Sequence, residues 1–356
     1  MNGEVIMYER LDINNRNPIC SIATIHDHLW LNEYHLNQNL IYLACLKSFF
    51  IDAHIDVKGM PLFFIAPVEN GIDMRFFKTV GFEVEYLDLN HILKDKESKN
   101  FIAYFDYYTL LSKEGRKKRY NICPIHTTLI IENAGSGWRL NEVEINEGKK
   151  SFSIRGTEKL IQANHIELYP YPVAGIAYRI VPQIHSRELE ERTISLIDEN
   201  LKKIVGDAEK CIGPVRDGTI NLCYGLQAYD TLINFFEQLY QVFSNKAISE
   251  AENRRYGILL MTFRRFLLPL SGKGNFFRSE MAEAFTYYAK YKENELFQRV
   301  SDKLLSSANE WNKLGSIITQ ISFKKDKILE LSEIIERVER IKKIELEAIL
   351  ALKEAI

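Results

Sequence analysis

Cysteine and proline are both scarce in this 356-residue chain, with five and nine residues, and charge of either sign is almost cancelled. The five cysteines, at positions 20, 45, 123, 211 and 223, form no C-x-x-C pair and no Cys/His metal spacing, and their number is odd. That pattern encodes neither a zinc site nor a disulfide framework, so reduced thiols and no metal are expected. A net charge of −2 gives no global attraction to nucleic acid and no acidic solvating tail. No uncharged apolar run reaches the roughly 20 residues that a membrane helix requires, although Leu40 to Ile55 is apolar-rich before charges interrupt it. Met1-Asn2-Gly3-Glu4-Val5-Ile6 brings an early acid and no basic segment leading an apolar run. No signal peptide is read there, and the cytoplasm is the expected address.

What the chain does have is apolar content, 46% hydrophobic against 26% charged residues, enough for two cored domains. The fold class expected is α+β, with residues 1–182 mixed and residues 183–356 all-helical. In the first part, short extended segments stand at Leu62–Ile65, Glu83–Tyr86, Phe101–Phe105 and Ile125–Ile131, punctuated by Gly and Asn. Asn133-Ala134-Gly135-Ser136-Gly137 reads as a turn that returns the chain along Trp138–Val143, so these last two strands should pair. Thr157–Gln162 reads as a short helix, and Ala174–Val181 as a strand ending at Pro182. From Ser186 the apolar period becomes helical, giving helices over Leu189–Val205, Leu226–Phe243, Ala247–Leu268, Ser279–Lys290, Leu296–Ile321 and Lys327–Ile356.

The residues that could carry chemistry begin at Cys20. Pro18 has its φ preset for a helix start, and Ile22, Ile25 and Leu29 recur at helical spacing to give one buried face. A thiol on a first helical turn sits beside unpaired N–H groups and the positive end of the helix dipole, which favour thiolate. A small hydrophobe packed in a core is the alternative reading of the same cysteine.

A helix-borne cysteine, then a histidine opening a strand, then a polar residue on its hairpin partner is an order that supplies nucleophile, base and orienter. The candidates are Cys20, His126 and either Asn141 or Glu142, because one register step exchanges which of the last two shares a face with the histidine. The Cys20 N–H and the side chains of Asn14 or Asn17 are candidate oxyanion donors, the asparagines having turn geometry as their alternative role.

These segments resemble a known family. Cys20, then Phe105-Asp106-Tyr107-Tyr108-Thr109-Leu110, then Ile125-His126-Thr127-Thr128-Leu129-Ile130-Ile131 are similar in kind and order to the papain-like domain of the butirosin biosynthesis protein H family. The second half resembles the helical domain of unknown function that follows it there, through Tyr224-Gly225-Leu226, Gly272-Lys273-Gly274-Asn275-Phe276-Phe277-Arg278, Glu310-Trp311-Asn312-Lys313-Leu314 and a last helix with Glu345 and Glu347. Where the family has glycine before the histidine and aspartate on the next strand, this chain has Ile125 and the pair Asn141-Glu142.

The resemblance implies a papain-like cysteine enzyme that moves an (amino)acyl group from the phosphopantetheine thioester of an acyl or peptidyl carrier protein onto an amine in secondary-metabolite (antibiotic) biosynthesis. No cofactor is expected to be bound; the thioester is the donor. A thioesterase or cysteine peptidase using the same dyad, and a non-catalytic carrier-binding protein, are the alternatives. Asp106, Tyr107 and Tyr108 are then candidate pocket residues. Arg116-Lys117-Lys118-Arg119, the one concentrated basic run, is either a docking site for an acidic carrier or a solvated loop.

Overall fold

The structure is a computed structural model that describes residues 19–46, 52–55, 61–64, 72–88, 92, 100–106, 125–133, 138–141, 159–161, 176–209, 215–217, 220–223, 225–244, 249–267, 275–322, 324 and 328–356. In chain order they form helices α1 (Cys20–Leu31) and α2 (Gln38–Cys45), strands β1 (Asp52–Ile55) and β2 (Pro61–Phe64), and helix α3 (Ile72–Val80). Strands β3 (Glu83–Asp88), β4 (Phe101–Asp106), β5 (Ile125–Asn133), β6 (Trp138–Asn141), β7 (Lys159–Ile161) and β8 (Ile176–Val181) follow, then helix α4 (Ser186–Glu209). Strands β9 (Val215–Asp217) and β10 (Ile220–Cys223) lead into helices α5 (Leu226–Ser244), α6 (Glu250–Leu267), α7 (Arg278–Tyr291), α8 (Glu295–Ile321) and α9 (Ile328–Ala355). The fold class is α+β, with both sheets antiparallel among the described residues. Two compact units result, Met1–Cys45 with Asn70–Leu196, and Leu46–Glu69 with Ile197–Ile356.

In the first unit a six-stranded sheet runs β3-β8-β4-β5-β6-β7. Phe101, Ile102, Ala103 and Tyr104 are all buried in succession, which in a period-2 strand means that β4 is covered on both faces. Helix α1 packs on α2, α3 and β5. Its apolar positions Ile22, Ile25 and Leu29 are buried, as their spacing requires. Beyond its end, Glu33 turns left-handed at φ 63° and the Tyr34 N–H donates to the Leu29 carbonyl at 2.9 Å. The Asn32 side chain donates to the His28 carbonyl at 2.7 Å, alongside the longer bond of 3.3 Å from the Asn32 backbone N–H. Asp73, fully buried in the first turn of α3, accepts from the hydroxyls of Tyr104 on β4 and Tyr178 on β8 and so ties α3 to one face of the sheet.

The second unit combines α5 to α9 with a four-stranded sheet of order β2-β1-β10-β9. Helices α5 and α6 pack on β1 and β2 respectively, and α8 packs on α6, α7 and α9. The Asn294 side chain caps α8 by accepting from the Leu296 N–H at 3.0 Å.

Two expectations about secondary structure need correction. Residues 183–356 are not all-helical, because β9 and β10 lie among them and pair with the β1–β2 hairpin from the first half. Thr157–Gln162 was expected to be helical, yet Lys159–Ile161 pairs with β6, since cross-strand pairing outweighs the small propensity differences of so short a run. The sequence suggested one division after 182, whereas the compact units exchange the chain after 45, 69 and 196.

Candidate functional site

Cys20 is the first residue of α1, as the Pro18 signal and the apolar period predict. Ile19 precedes it in extended backbone, φ −83° and ψ 114°, and the first intrahelical bond is donated by the Ala23 N–H to the Ile19 carbonyl at 3.0 Å. The N–H groups of Cys20, Ser21 and Ile22 therefore have no partner within the helix. An isoleucine N-cap offers no side-chain acceptor, and the first turn of α1 carries no acid.

His126 is the second residue of β5, opposite Phe105 on β4. Asp106 closes β4 opposite Ile125, so the end of β4 and the beginning of β5 bring the Asp106 and His126 positions next to each other along the backbone. Helix α1 packs on this same β5, which brings the element carrying Cys20 against the strand carrying His126 within one unit.

Register decides the faces. Pairing sets His126 and Thr128 with Phe105, Ala103 and Phe101 on one face, and Thr127 and Leu129 with Tyr104 and Ile102 on the other. Asn141 lies opposite Leu129 and so belongs to that second face, away from His126. The second face is also the one on which α3 docks, because Asp73 is held there by Tyr104 and Tyr178. Glu142, Asn14, Asn17, Tyr107, Tyr108, Arg116, Lys117, Lys118 and Arg119 lie outside the described residues.

Cys45, at the end of α2, is no rival nucleophile. It is buried, and burial first, then the Asp73 carboxylate, pushes its thiol well above the ordinary value. Asp73 itself is raised by burial, against the hydrogen bonds from Tyr104 and Tyr178 that favour its ionised form.

Sequence reasoning missed a buried polar stripe on α1. Ser21, Thr24, Asp27 and His28 are all buried, Asp27 lying 3.6 Å from the His26 ring nitrogen. His28 packs edge-on against Phe77 of α3 at 5.4 Å, its Nε2 stands 3.3 Å from the Asn32 side-chain nitrogen, and its Nδ1 has no hydrogen-bond partner. Burial lowers its pKa to about 4, so the ring is neutral. The available signal was four polar residues interrupting an otherwise apolar helical period.

Three of the residues that carry the resemblance of the second half, Arg278, Trp311 and Glu345, meet instead at a buried ion pair. Glu345 accepts from Arg278 through both carboxylate oxygens, at 2.8 and 2.9 Å, and also from Ser307 at 2.5 Å, Trp311 Nε1 at 3.1 Å and the Tyr229 hydroxyl. Burial pushes the Glu345 carboxyl up, but Arg278 and the hydrogen bonds of Ser307 and Tyr229 outweigh it and leave the group below the ordinary carboxylate value. Arg278 also donates to the Phe276 carbonyl at 3.0 Å, within a turn where Asn275, Phe276 and Phe277 all have positive φ. Every donor of the cluster points inward, which is the arrangement of a structural joint between α5, α7, α8 and α9. Gly225, φ 65°, turns the chain just ahead of α5, while Glu310 pairs with Lys313 and Arg337, and Glu347 with Lys303.

Among the described residues no group of three His, Cys, Asp or Glu side chains could hold a metal ion, and no helix is long and apolar enough to cross a membrane. A scan against protein-family models finds no match to the chain, and a search of curated proteins finds none either.

Proposed function

We propose that this chain is a cytoplasmic, papain-like acyltransferase that moves an (amino)acyl group from a carrier-protein thioester to an amine through Cys20. The observation that carries this reading is the packing of α1, with Cys20 at its N-terminus, against β5, with His126 at its beginning. The Cys20 thiolate attacks the thioester carbonyl, the C–S bond to phosphopantetheine breaks, and the departing thiolate takes a proton from the His126 imidazolium. An amine then attacks the acyl-cysteine, His126 accepts its proton, and the Cys20 thiolate leaves as the amide forms. N–H groups of the first turn of α1, with Asn14 or Asn17, would hold the oxyanion. Glu142 is preferred to Asn141 as the residue that orients the imidazole, since Asn141 is on the other face of β6. The run Arg116-Lys117-Lys118-Arg119 meets an acidic carrier.

A binding protein that grips a carrier without chemistry is the second reading. It is favoured by the alternation of β5, which gives His126 to the face opposite the α3 side. Incubation with an acylated carrier, followed by intact-protein mass spectrometry, separates the readings. Transfer predicts an acyl mass gain that disappears in Cys20→Ala, persists in Cys123→Ala and is converted to amide by an added amine. Removing the base in His126→Ala should slow acylation by roughly 100-fold or more. Free acid with every amine tried points to a hydrolase, and carrier binding without adduct sinks the enzyme reading.

A further inference from the structure

Helix α1 carries hydroxyl and imidazole side chains on its buried side. Ser21, Thr24 and His28 stand at positions i, i+3 and i+7, so they form one stripe along the helix, and all three are buried. Thr24 is one turn before His28, and side chains four residues apart on a helix have Cβ atoms about 5–6 Å from each other. The His28 ring lies edge-on to Phe77 of α3, within the same compact unit. The neighbouring Asn32 amide assigns the tautomer of that ring. Its Nδ2 donates to the His28 carbonyl at 2.7 Å and stands 3.3 Å from the ring Nε2. Turning the amide over would set its oxygen against the carbonyl, acceptor against acceptor, so the group that faces Nε2 is a donor. Nε2 therefore accepts, and the neutral imidazole carries its hydrogen on Nδ1.

That Nδ1 is buried and has no hydrogen-bond partner in the protein. A buried N–H left without an acceptor is among the costlier defects a fold can carry, and an ordered small molecule is the usual remedy. The molecule that fits is neutral. One N–H does not offset the cost of burying an anion, whereas water accepts from it and still has two hydrogens to give. We propose that Nδ1–H of His28 and Oγ1 of Thr24 form an internal site for one water molecule, which accepts from the imidazole and donates to the hydroxyl oxygen. The Thr24 oxygen has two acceptor lone pairs, so it takes this bond wherever its own hydrogen points. The site stands whether or not Cys20 is a nucleophile.

The test is nuclear magnetic resonance on the full chain, with isotopically labelled histidine and near neutral pH. The His28 ring should show a protonated Nδ1 and an unprotonated Nε2. Its Nδ1 hydrogen should give a cross-peak to water, with the sign of a molecule held long enough to tumble with the protein. Thr24→Val removes the oxygen and keeps the shape, so it should leave the tautomer as it is and shorten the residence time of the water by roughly tenfold or more. A hydrogen found on Nε2 overturns the proposal, and so does an Nδ1–H without a water cross-peak, which would mean a dry donor. Both are read on the wild-type chain and need no variant to fold. A residence time that Thr24→Val leaves unmoved also overturns it, because the hydroxyl would then be no part of the site.

Discussion

Burial keeps the His28 imidazole neutral, its pKa lowered from the ordinary 6.5 to about 4, while the unfolded chain protonates the same ring freely. The folded state therefore binds its proton later than the unfolded state does. The stabilisation is fully present above about pH 6.5 and is lost as the pH falls through 4, and a gap of roughly 2.5 units corresponds to about 3 kcal/mol. With 2% of the residue exposed, solvent screening removes little of this. His28→Leu keeps an apolar body against Phe77 and deletes the titration. Urea midpoints measured from pH 7 to pH 4 should therefore fall more steeply for the wild type than for the variant. Parallel slopes would mean that the ring reaches water before it charges.

Two helical glycines make opposite predictions, because the same added methyl meets different surroundings. Gly206 on α4 has no atom within 4 Å of a built Cβ, so Gly206→Ala gains helix propensity alone and should stabilise by about 0.5–1 kcal/mol. Gly257 on α6 would place its Cβ 2.6 Å from the Ser322 backbone carbonyl, and a backbone atom does not yield as a flexible side chain does. There the overpacking cost of about 1–3 kcal/mol exceeds the propensity gain, so Gly257→Ala should lower the thermal midpoint while Gly206→Ala raises it. Helices of this length were legible because apolar residues at three- and four-residue spacing recur over many turns, as from Phe297 through Val300, Leu304 and Trp311 to Ile318. Strands such as β1, β9 and β10 span three or four residues, too short for a period to declare itself, and the pairing of β1 with β10 joins residues far apart along the chain. The start of α1 at Cys20 was legible for a local reason, the proline before it and the period after it. The face of Asn141 was not, because it depends on a register that includes the irregularity between Ile130 and Glu132.

At the scale of the whole molecule, the shared sheet determines which pieces of the chain can fold alone. A fragment of residues 197–356 holds all of α5 to α9 but only β9 and β10 of the four strands. Without β1, the N–H and C=O groups of β10 that face it become an open edge, and the surfaces of α5 and α6 that pack on the hairpin become exposed apolar area. The α7–α8–α9 packing, anchored by the Arg278–Glu345 pair, does not involve the hairpin and should persist. The fragment is therefore expected to keep most of its far-ultraviolet helical signal, to lose exchange protection in β9, β10 and the buried faces of α5 and α6, and to associate in sedimentation. Fusing residues 46–69 to its N-terminus through a flexible linker should restore both protection and the monomer, since the pairing partners are then all present. A fragment that unfolds in one sharp urea transition with β10 fully protected would show that the sheet does not need its borrowed strands. The helical unit would then be autonomous, with the hairpin an ornament on its surface.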